Sequence, residues 1–294
     1  MHADEADIDV SLVRRLVASR FPRWAGLPLV EVPSAGTSNA MYRLGEDMVV
    51  RLPRVAGAAD DVSKEHQWLP RLAPALPVAV PVPLGSGTPA EGYPWPWSVY
   101  RWLDGEVPAA GRVTDPGSLA RDLGGFVAAL HRIDTAGGPR SYRSEPLAAR
   151  DAAARRAIGE LRTVVDAGAA TAVWDAALRA PSWPGPAVWI HADLQPGNLL
   201  LAGGRLGAVI DFGCLGLGDP AVDLIAAWYV LPAGARDTFR AATGADDATW
   251  TRGRGWALSI ALAELDYYRE TNPVMAGIAR HVIHEVTADH HRTA

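Results

Sequence analysis

The chain has 294 residues, 49% hydrophobic and 21% charged, which excludes global disorder and leaves apolar material for about two compact units. A net charge of −5 lacks the basic footprint of duplex-binding proteins, so no nucleic-acid partner is expected. One cysteine, Cys214, excludes an intramolecular disulfide framework and any multi-cysteine zinc site, and a reducing, cytoplasmic setting is expected.

The opening MHADEADIDV is acidic and carries no apolar core, so no secretory leader is expected. No run approaches about 18 apolar residues, so neither a spanning helix nor a membrane partner is expected. Lys64 is the only lysine. Arginine is therefore unsurprising wherever chemistry usually uses lysine.

Leu12, Val13, Leu16 and Val17 recur at helical spacing and predict a helix up to Arg20, with Asp9 as N-cap. Leu29–Val32, Ala40–Leu44 and Met48–Leu52 read as three short strands joined by tight turns. A helix follows over Val62–Leu72, with Glu65, Trp68, Leu69 and Leu72 on one side. Residues 73–97 are rich in proline and glycine, and Ser98–Leu103 reads as a further strand closed by Asp104-Gly105. Trp95, Trp97 and Trp102 are expected to pack between lobes. Residues 116–132 and 147–179 are alanine-rich and helical in period, and Pro181–Pro186 ends that stretch. Short strands and loops are expected over 187–213, then helices over 220–231, 234–243, 248–270 and 274–290. A sheet-rich part thus precedes a larger helical part, with the boundary near residue 104.

The decisive stretch runs from residue 188 to 223. Leu199–Ala202 and Arg205–Ile210 flank Gly203-Gly204 and predict a hairpin. Closing it would bring Asn198 and Asp211 together at its open end, with Asp193 on the loop leading in. Two carboxylates and an amide oxygen form a hard donor set of the kind that suits Mg²⁺ and shares it with phosphates.

His191-Ala192-Asp193-Leu194-Gln195-Pro196-Gly197-Asn198 matches the kinase catalytic-loop pattern H-x-D-x-x-x-x-N, and Asp211-Phe212-Gly213 is a literal D-F-G. Over roughly residues 10–270 the chain resembles the aminoglycoside phosphotransferase family, which shares the protein-kinase-like fold with choline and macrolide kinases. The resemblance implies an α+β bilobal fold: a small antiparallel-sheet N-lobe for the nucleotide (1–103) and a larger helical C-lobe for catalysis and the acceptor (104–294). It implies ATP or GTP with Mg²⁺ as cofactors and a small-molecule hydroxyl acceptor as partner.

Position by position, the resemblance makes Asp193 the catalytic base and Asn198 and Asp211 the Mg²⁺ ligands. Arg51 stands where the family usually has a lysine for the α/β-phosphates, a place where choline kinases also use arginine, and Glu65 would be its ion-pair partner. Ser34–Asn39, with Gly36, Thr37 and Ser38, would cover the phosphates. The hinge, with Arg101 and Leu103, would meet the adenine. His191, Asp219 and Asp223 would support the catalytic loop, Asp219 also capping a helix that starts at Pro220.

Other residues read as structural. His131 is expected to be a satisfied interface histidine. His281, His284, His290 and His291 lie on an expected solvated helix and lack a metal-ligand signature. Cys214 has no basic sequence neighbour and reads as a small filler. Glu264 interrupts an apolar helical run and is the candidate acceptor-side acid. Residues 234–294 hold eight acidic and seven basic side chains, which leaves the charge of the acceptor open. The expected activity is γ-phosphate transfer to an aminoglycoside-like alcohol, with a macrolide, amino alcohol or sugar as the alternative. A protein kinase is disfavoured, because five residues separate the D-F-G from Asp219 and no A-P-E follows. A nucleotide-binding module without catalysis is disfavoured by Asp193, Asn198 and Asp211.

Overall fold

The computed structural model describes residues 6–33, 38–108 and 113–293. It divides into two compact units, Met1–Glu106 with Gly207–Gly213, and Val107–Leu206 with Cys214–Ala294. Beside the boundary read at residue 104, the first unit thus also takes in Gly207–Gly213. Ala79 fixes this segment, donating to the Gly207 carbonyl (3.1 Å) and accepting from the Val209 amide (3.0 Å).

The first unit opens with helix α1 (Val10–Arg20), whose Asp9 cap accepts from the Leu12 amide at 2.7 Å. Strands β1 (Leu29–Glu31), β2 (Asn39–Leu44) and β3 (Met48–Pro53) follow, then helix α2 (Ala59–Leu72), β4 (Pro83–Gly87) and β5 (Trp97–Arg101). They form one antiparallel sheet in the order β1-β2-β3-β5-β4. Alternation sorts the side chains by face. Ala40, Tyr42, Leu44, Val50, Leu52, Trp97 and Val99 build a core with the apolar stripe of α1. Each large side chain buried there contributes about 1.5–3 kcal/mol.

This region differs from the sequence reading at two points. Residues 73–97 contain β4, hidden by a proline and two glycines in a strand that carries a register shift between Pro83 and Gly85. Gly87 is required there, because an added Cβ would lie 1.9 Å from the Trp97 ring. The strand predicted over Ser98–Leu103 ends at Arg101, since the Trp102 amide turns to the Asp47 carbonyl. The three tryptophans each have partners within this unit. Trp97 is fully buried in this core and Trp95 packs against it, while Trp102 lies under the Arg43 guanidinium and donates to Asp104.

The second unit begins with α3 (Pro116–His131), capped by Asp115 with proline at its first position. Helices α4 (Asp151–Glu160) and α5 (Ala167–Arg179) follow. The sequence read 147–179 as continuously helical. The chain instead breaks after Leu161, and the Asp166 carboxylate caps α5 by accepting from the Ala169 amide. Strand β6 (Val188–Ile190) leads into the 191–198 loop, and β7 (Leu199–Ala202) and β8 (Arg205–Val209) form a two-stranded hairpin. Gly203 and Gly204, both at positive φ, make its turn. Strand β9 (Gly216–Gly218) pairs antiparallel with β6.

Pro220–Ile225, predicted as α-helix, is a 3-10 turn that runs into the short α6 (Ala226–Tyr229). Helices α7 (Arg236–Thr243), α8 (Asp247–Tyr268) and α9 (Pro273–Thr293) complete the unit. Most of α8 is buried on every side, and Gly253 and Gly255 let it approach Leu224 and Ala177, where a Cβ would clash at 2.7 and 2.4 Å. His281, His284 and His291 on α9 are exposed. No helix among the described residues is long and apolar enough to cross a membrane.

Gly216 shows how tightly the region beside the 191–198 loop is built. A Cβ there would sit 2.4 Å from the Ser141 backbone nitrogen, which no side-chain motion can relieve. Gly216→Ala is expected to cost about 1–3 kcal/mol or more in chemical denaturation. Gly159→Ala, a helical position with no atom within 4 Å, is the control and should gain a few tenths to about 1 kcal/mol. Equal stability of the two variants would contradict this packing.

Candidate active site

In the second unit, β6 delivers the chain to Ala192 at φ +67°. A left-handed alanine costs about 1–2 kcal/mol. The Ala192 amide donates to Asp223 Oδ1 at 2.7 Å, and the Ala192 carbonyl accepts from the Arg143 guanidinium. Hydrogen bonds to charged groups contribute about 1.5–3 kcal/mol each, so the two together outweigh the strain. Asp223 is fully buried, and its Oδ2 also accepts from the His191 amide (3.1 Å) and pairs with His131 Nε2 (3.0 Å). His191 is buried and its Nδ1 accepts from the Asp193 amide at 3.2 Å. Asp219 caps the 3-10 turn through the Ala221 amide and holds Arg252 with both carboxylate oxygens.

This scaffold presents Asp193. Its Oδ1 accepts from Arg143 Nη1 (2.9 Å) and Gln195 Nε2 (3.2 Å), and its Oδ2 accepts from Asn198 Nδ2 (2.9 Å). Asn198 Nδ2 also donates to the Asp193 carbonyl at 2.8 Å. With its amide nitrogen engaged twice, Asn198 has its Oδ1 left as a donor atom for a cation. Glu264, reaching in from α8, accepts from Gln195 Nε2 and from the Tyr229 hydroxyl, both at 2.8 Å. Burial pushes the Glu264 carboxyl up from its ordinary range, against the pull of Tyr229 and Gln195. Glu264 thus belongs to the same cluster as Asp193, joined to it through Gln195.

In the first unit, Arg51 on β3 donates from Nη1 to both carboxylate oxygens of Glu65 (2.7 and 2.8 Å) and from Nη2 to Asp211 Oδ1 (2.6 Å). With its side-chain oxygen turned toward the guanidinium, Asn39 accepts from Nε and Nη2 at 3.2 and 2.9 Å. The buried Tyr100 hydroxyl donates to Glu65. Burial opposes the Arg51 charge, but Asp211 and Glu65 outweigh it and hold the guanidinium protonated. Asp211 is also left-handed, at φ +61°, and its side chain remains 44% exposed. Lys64 bonds the Gly213 carbonyl and Asp61.

The remaining sites read from the sequence lie in the first unit. Ser38 is exposed, and its carbonyl accepts from the Arg54 amide. Arg101 is exposed at the end of β5 and Leu103 is half-buried beyond it. Gly36 and Thr37, with Ser34, fall outside the described residues. Cys214 has no basic sequence neighbour and is half-buried, and it interacts electrostatically with Arg143, which comes from 71 residues earlier in the chain. Arg143, Gln195, Tyr229 and Tyr100 were missed, as was the contact of Asn39 with Arg51. Gln195 stands inside the motif and could have been singled out, whereas no local pattern marks Arg143.

The model of the phosphotransferase enzyme family matches residues 30–256. The chain belongs to that family. No curated protein sequence matches it. Among solved structures, the phosphotransferase chain resembles the GDP and kanamycin complex of APH(2")-IIia at 19% identity, covering 94% of this chain and 98% of that one, with a TM-score of 0.75. It resembles the macrolide 2'-phosphotransferase MphH from Brachybacterium faecium at 24% identity, covering 95% and 98%, with a TM-score of 0.63. The streptomycin-ATP-APH(2")-IIa ternary complex aligns at 16% identity over 94% and 99%, with a TM-score of 0.64. At these identities the likeness is one of fold, and the α+β kinase-like architecture read from the sequence is the one found.

Proposed function

We propose that this phosphotransferase is a small-molecule kinase that moves the γ-phosphate of ATP or GTP to an alcohol, with an aminoglycoside as the leading acceptor class. The observation that carries the reading is the Asp193 carboxylate, fixed by three side-chain donors on a loop whose strained residue is bonded on both sides. Such a carboxylate takes the acceptor's hydroxyl proton as the new O–P bond forms and the bond from the γ-phosphorus to the β-phosphate oxygen breaks, releasing the nucleoside diphosphate. Little covalent chemistry is needed beyond positioning and charge.

Asn198 Oδ1 and the exposed Asp211 carboxylate are hard oxygen donors and fit Mg²⁺. Among the described residues no cluster of three His, Cys, Asp or Glu could hold a metal alone, which suits an ion that completes its shell with phosphates and water. When bound, Mg²⁺ supplies positive charge to the phosphates. Arg51 is the phosphate-side cation, steered by Glu65, with the 34–39 segment and the stretch through Arg101 and Leu103 as nucleotide contacts. Glu264 lies on the acceptor side, with Gln195 and Tyr229. His191, Asp219 and Asp223 carry the loop. The neighbours named for kanamycin and streptomycin complexes support an aminoglycoside, and the macrolide enzyme supports the alternative.

The test is transfer of labelled phosphate from Mg²⁺-ATP and Mg²⁺-GTP to aminoglycosides, macrolides, amino alcohols, sugars and generic proteins. Labelling of at least one small alcohol is expected. Labelling of protein serine or threonine alone would overturn the reading.

Arg51 gives a further prediction. Its fork spans Glu65 and Asp211, and a lysine could meet one of them well but not both with paired donors. Arg51→Lys should retain turnover within about tenfold, while Arg51→Ala leaves Glu65 buried without its cation and should lose about 10²-fold or more. Nucleotide affinity in Arg51→Ala equal to that of the parent would remove Arg51 from the phosphate side.

A further inference from the structure

We propose that Arg143 is a positioning residue for phosphate transfer: from outside the catalytic-loop motif, its Nη1 fixes the Asp193 carboxylate and the Ala192 carbonyl together. The inference rests on the reading of Asp193 as the base.

The contacts are specific. Arg143 Nη1 donates to Asp193 Oδ1 at 2.9 Å and to the Ala192 carbonyl, and its side chain is 13% exposed. Ala192 is the left-handed residue whose peptide aims the base. Asp223 holds its amide and Arg143 its carbonyl, so the turn before Asp193 is bonded from two directions by two oppositely charged groups.

The mount of Arg143 is itself rigid. The Ser141 amide donates to the Leu217 carbonyl (3.1 Å), and the Leu217 amide donates to the Pro139 carbonyl (2.7 Å). The buried Ser141 hydroxyl donates to the Cys214 carbonyl (2.7 Å) and accepts from the Arg143 amide (3.1 Å). Gly216 is without a side chain where this segment crosses β9, and β9 pairs with β6, the strand that leads into the catalytic loop. Arg143 therefore comes from a segment stitched to the same small sheet that carries Asp193. Burial opposes its charge, and Asp193, Cys214 and Tyr229 outweigh that and hold the guanidinium above its ordinary pKa.

The other contacts to Asp193 come from its own loop. Gln195 and Asn198 lie two and five residues beyond it, on the same loop. Arg143 lies 50 residues earlier and ties the carboxylate to a separate part of the fold. In this scheme it acts through Asp193 and touches neither the acceptor oxygen nor the γ-phosphorus, so its loss should slow chemistry and leave substrate binding in place. Because one nitrogen serves both oxygens, a lysine ammonium can replace it, whereas an uncharged thioether cannot.

The test is steady-state kinetics on the full chain with Mg²⁺-ATP or Mg²⁺-GTP and kanamycin, or the best acceptor of the panel. Arg143→Met is expected to lower kcat about 10²-fold, with the KM of both substrates within about twofold. Arg143→Lys should recover most of the lost kcat. A kcat in Arg143→Met within about threefold of the parent, a loss confined to KM, or no recovery in Arg143→Lys would overturn the proposal. Should Arg143→Met not fold, Arg143→Gln decides. Lowered kcat at unchanged KM supports the proposal, and unchanged kcat or a loss in KM alone overturns it. Asp193→Asn separates the two readings. If it retains activity, the base assignment fails. If it is inactive while Arg143→Met is unimpaired, only the role of Arg143 fails.

Discussion

Asp193→Asn is expected to remove phosphate transfer while nucleotide binding survives. The substitution keeps size and shape but leaves an amide that cannot accept the acceptor's proton. It also sets an NH₂ group against donors, since Arg143, Gln195 and Asn198 all direct N–H groups at this carboxylate. At most one amide oxygen can satisfy them, so the local arrangement loses contacts as well as its base. General-base catalysis contributes about 10²–10⁴-fold, and turnover should fall by at least that much. Labelled-phosphate transfer and calorimetric titration with nucleotide read the two effects separately. Turnover within about tenfold of the parent would end the assignment of Asp193 as base.

Asp211→Ala is expected to abolish Mg²⁺-dependent turnover, with a loss on the order of 10²-fold or more, because a metal ligand carries several kcal/mol of charge stabilisation. Here the effect has two parts. The variant removes a carboxylate oxygen donor, and it also removes the partner of Arg51 Nη2, 2.6 Å away. Among the described residues, Arg51 then keeps its bonds to Glu65 and Asn39. Asp211→Asn separates the two parts, since its amide oxygen can still accept from Arg51 but offers a cation no charge. Activity measured over a Mg²⁺ titration is the readout. A shift to higher Mg²⁺ demand in Asp211→Asn and inactivity in Asp211→Ala are the expected results. Unchanged metal dependence in both variants would remove Asp211 from the metal site.

Much of this was determined by the sequence alone, because the deciding signals are local. Asp9 before an apolar helical period specifies α1 and its cap, and Gly203-Gly204 between two apolar runs specifies the β7–β8 turn through backbone freedom. The catalytic-loop pattern and the D-F-G place Asp193, Asn198 and Asp211 at fixed chain offsets, and Arg51 and Glu65 are fourteen residues apart across a strand and a helix. Where local signals conflict with packing, the sequence was misleading. β4 carries proline and glycine yet pairs with β5, because Gly87 must lie against the Trp97 ring. The 147–179 stretch keeps a helical composition through a break after Leu161, beyond which Asp166 caps the next helix.

The charge network of the catalytic loop was decided only by the tertiary structure. Arg143, which nothing in the sequence marked, reaches Asp193 from 50 residues before it, and the contacts of Asp223 and Glu264, residues the sequence had singled out, come from 30 and 71 residues after it. No periodicity or spacing encodes such contacts, because they depend on how whole strands and helices stack. Ala192 takes up left-handed backbone that alanine rarely adopts, and Asp211 takes it up too, although aspartate enters that region more readily. Their residue types do not announce it. At Ala192 the conformation is held by charged groups from distant parts of the chain, which is why it appears only once the fold is assembled.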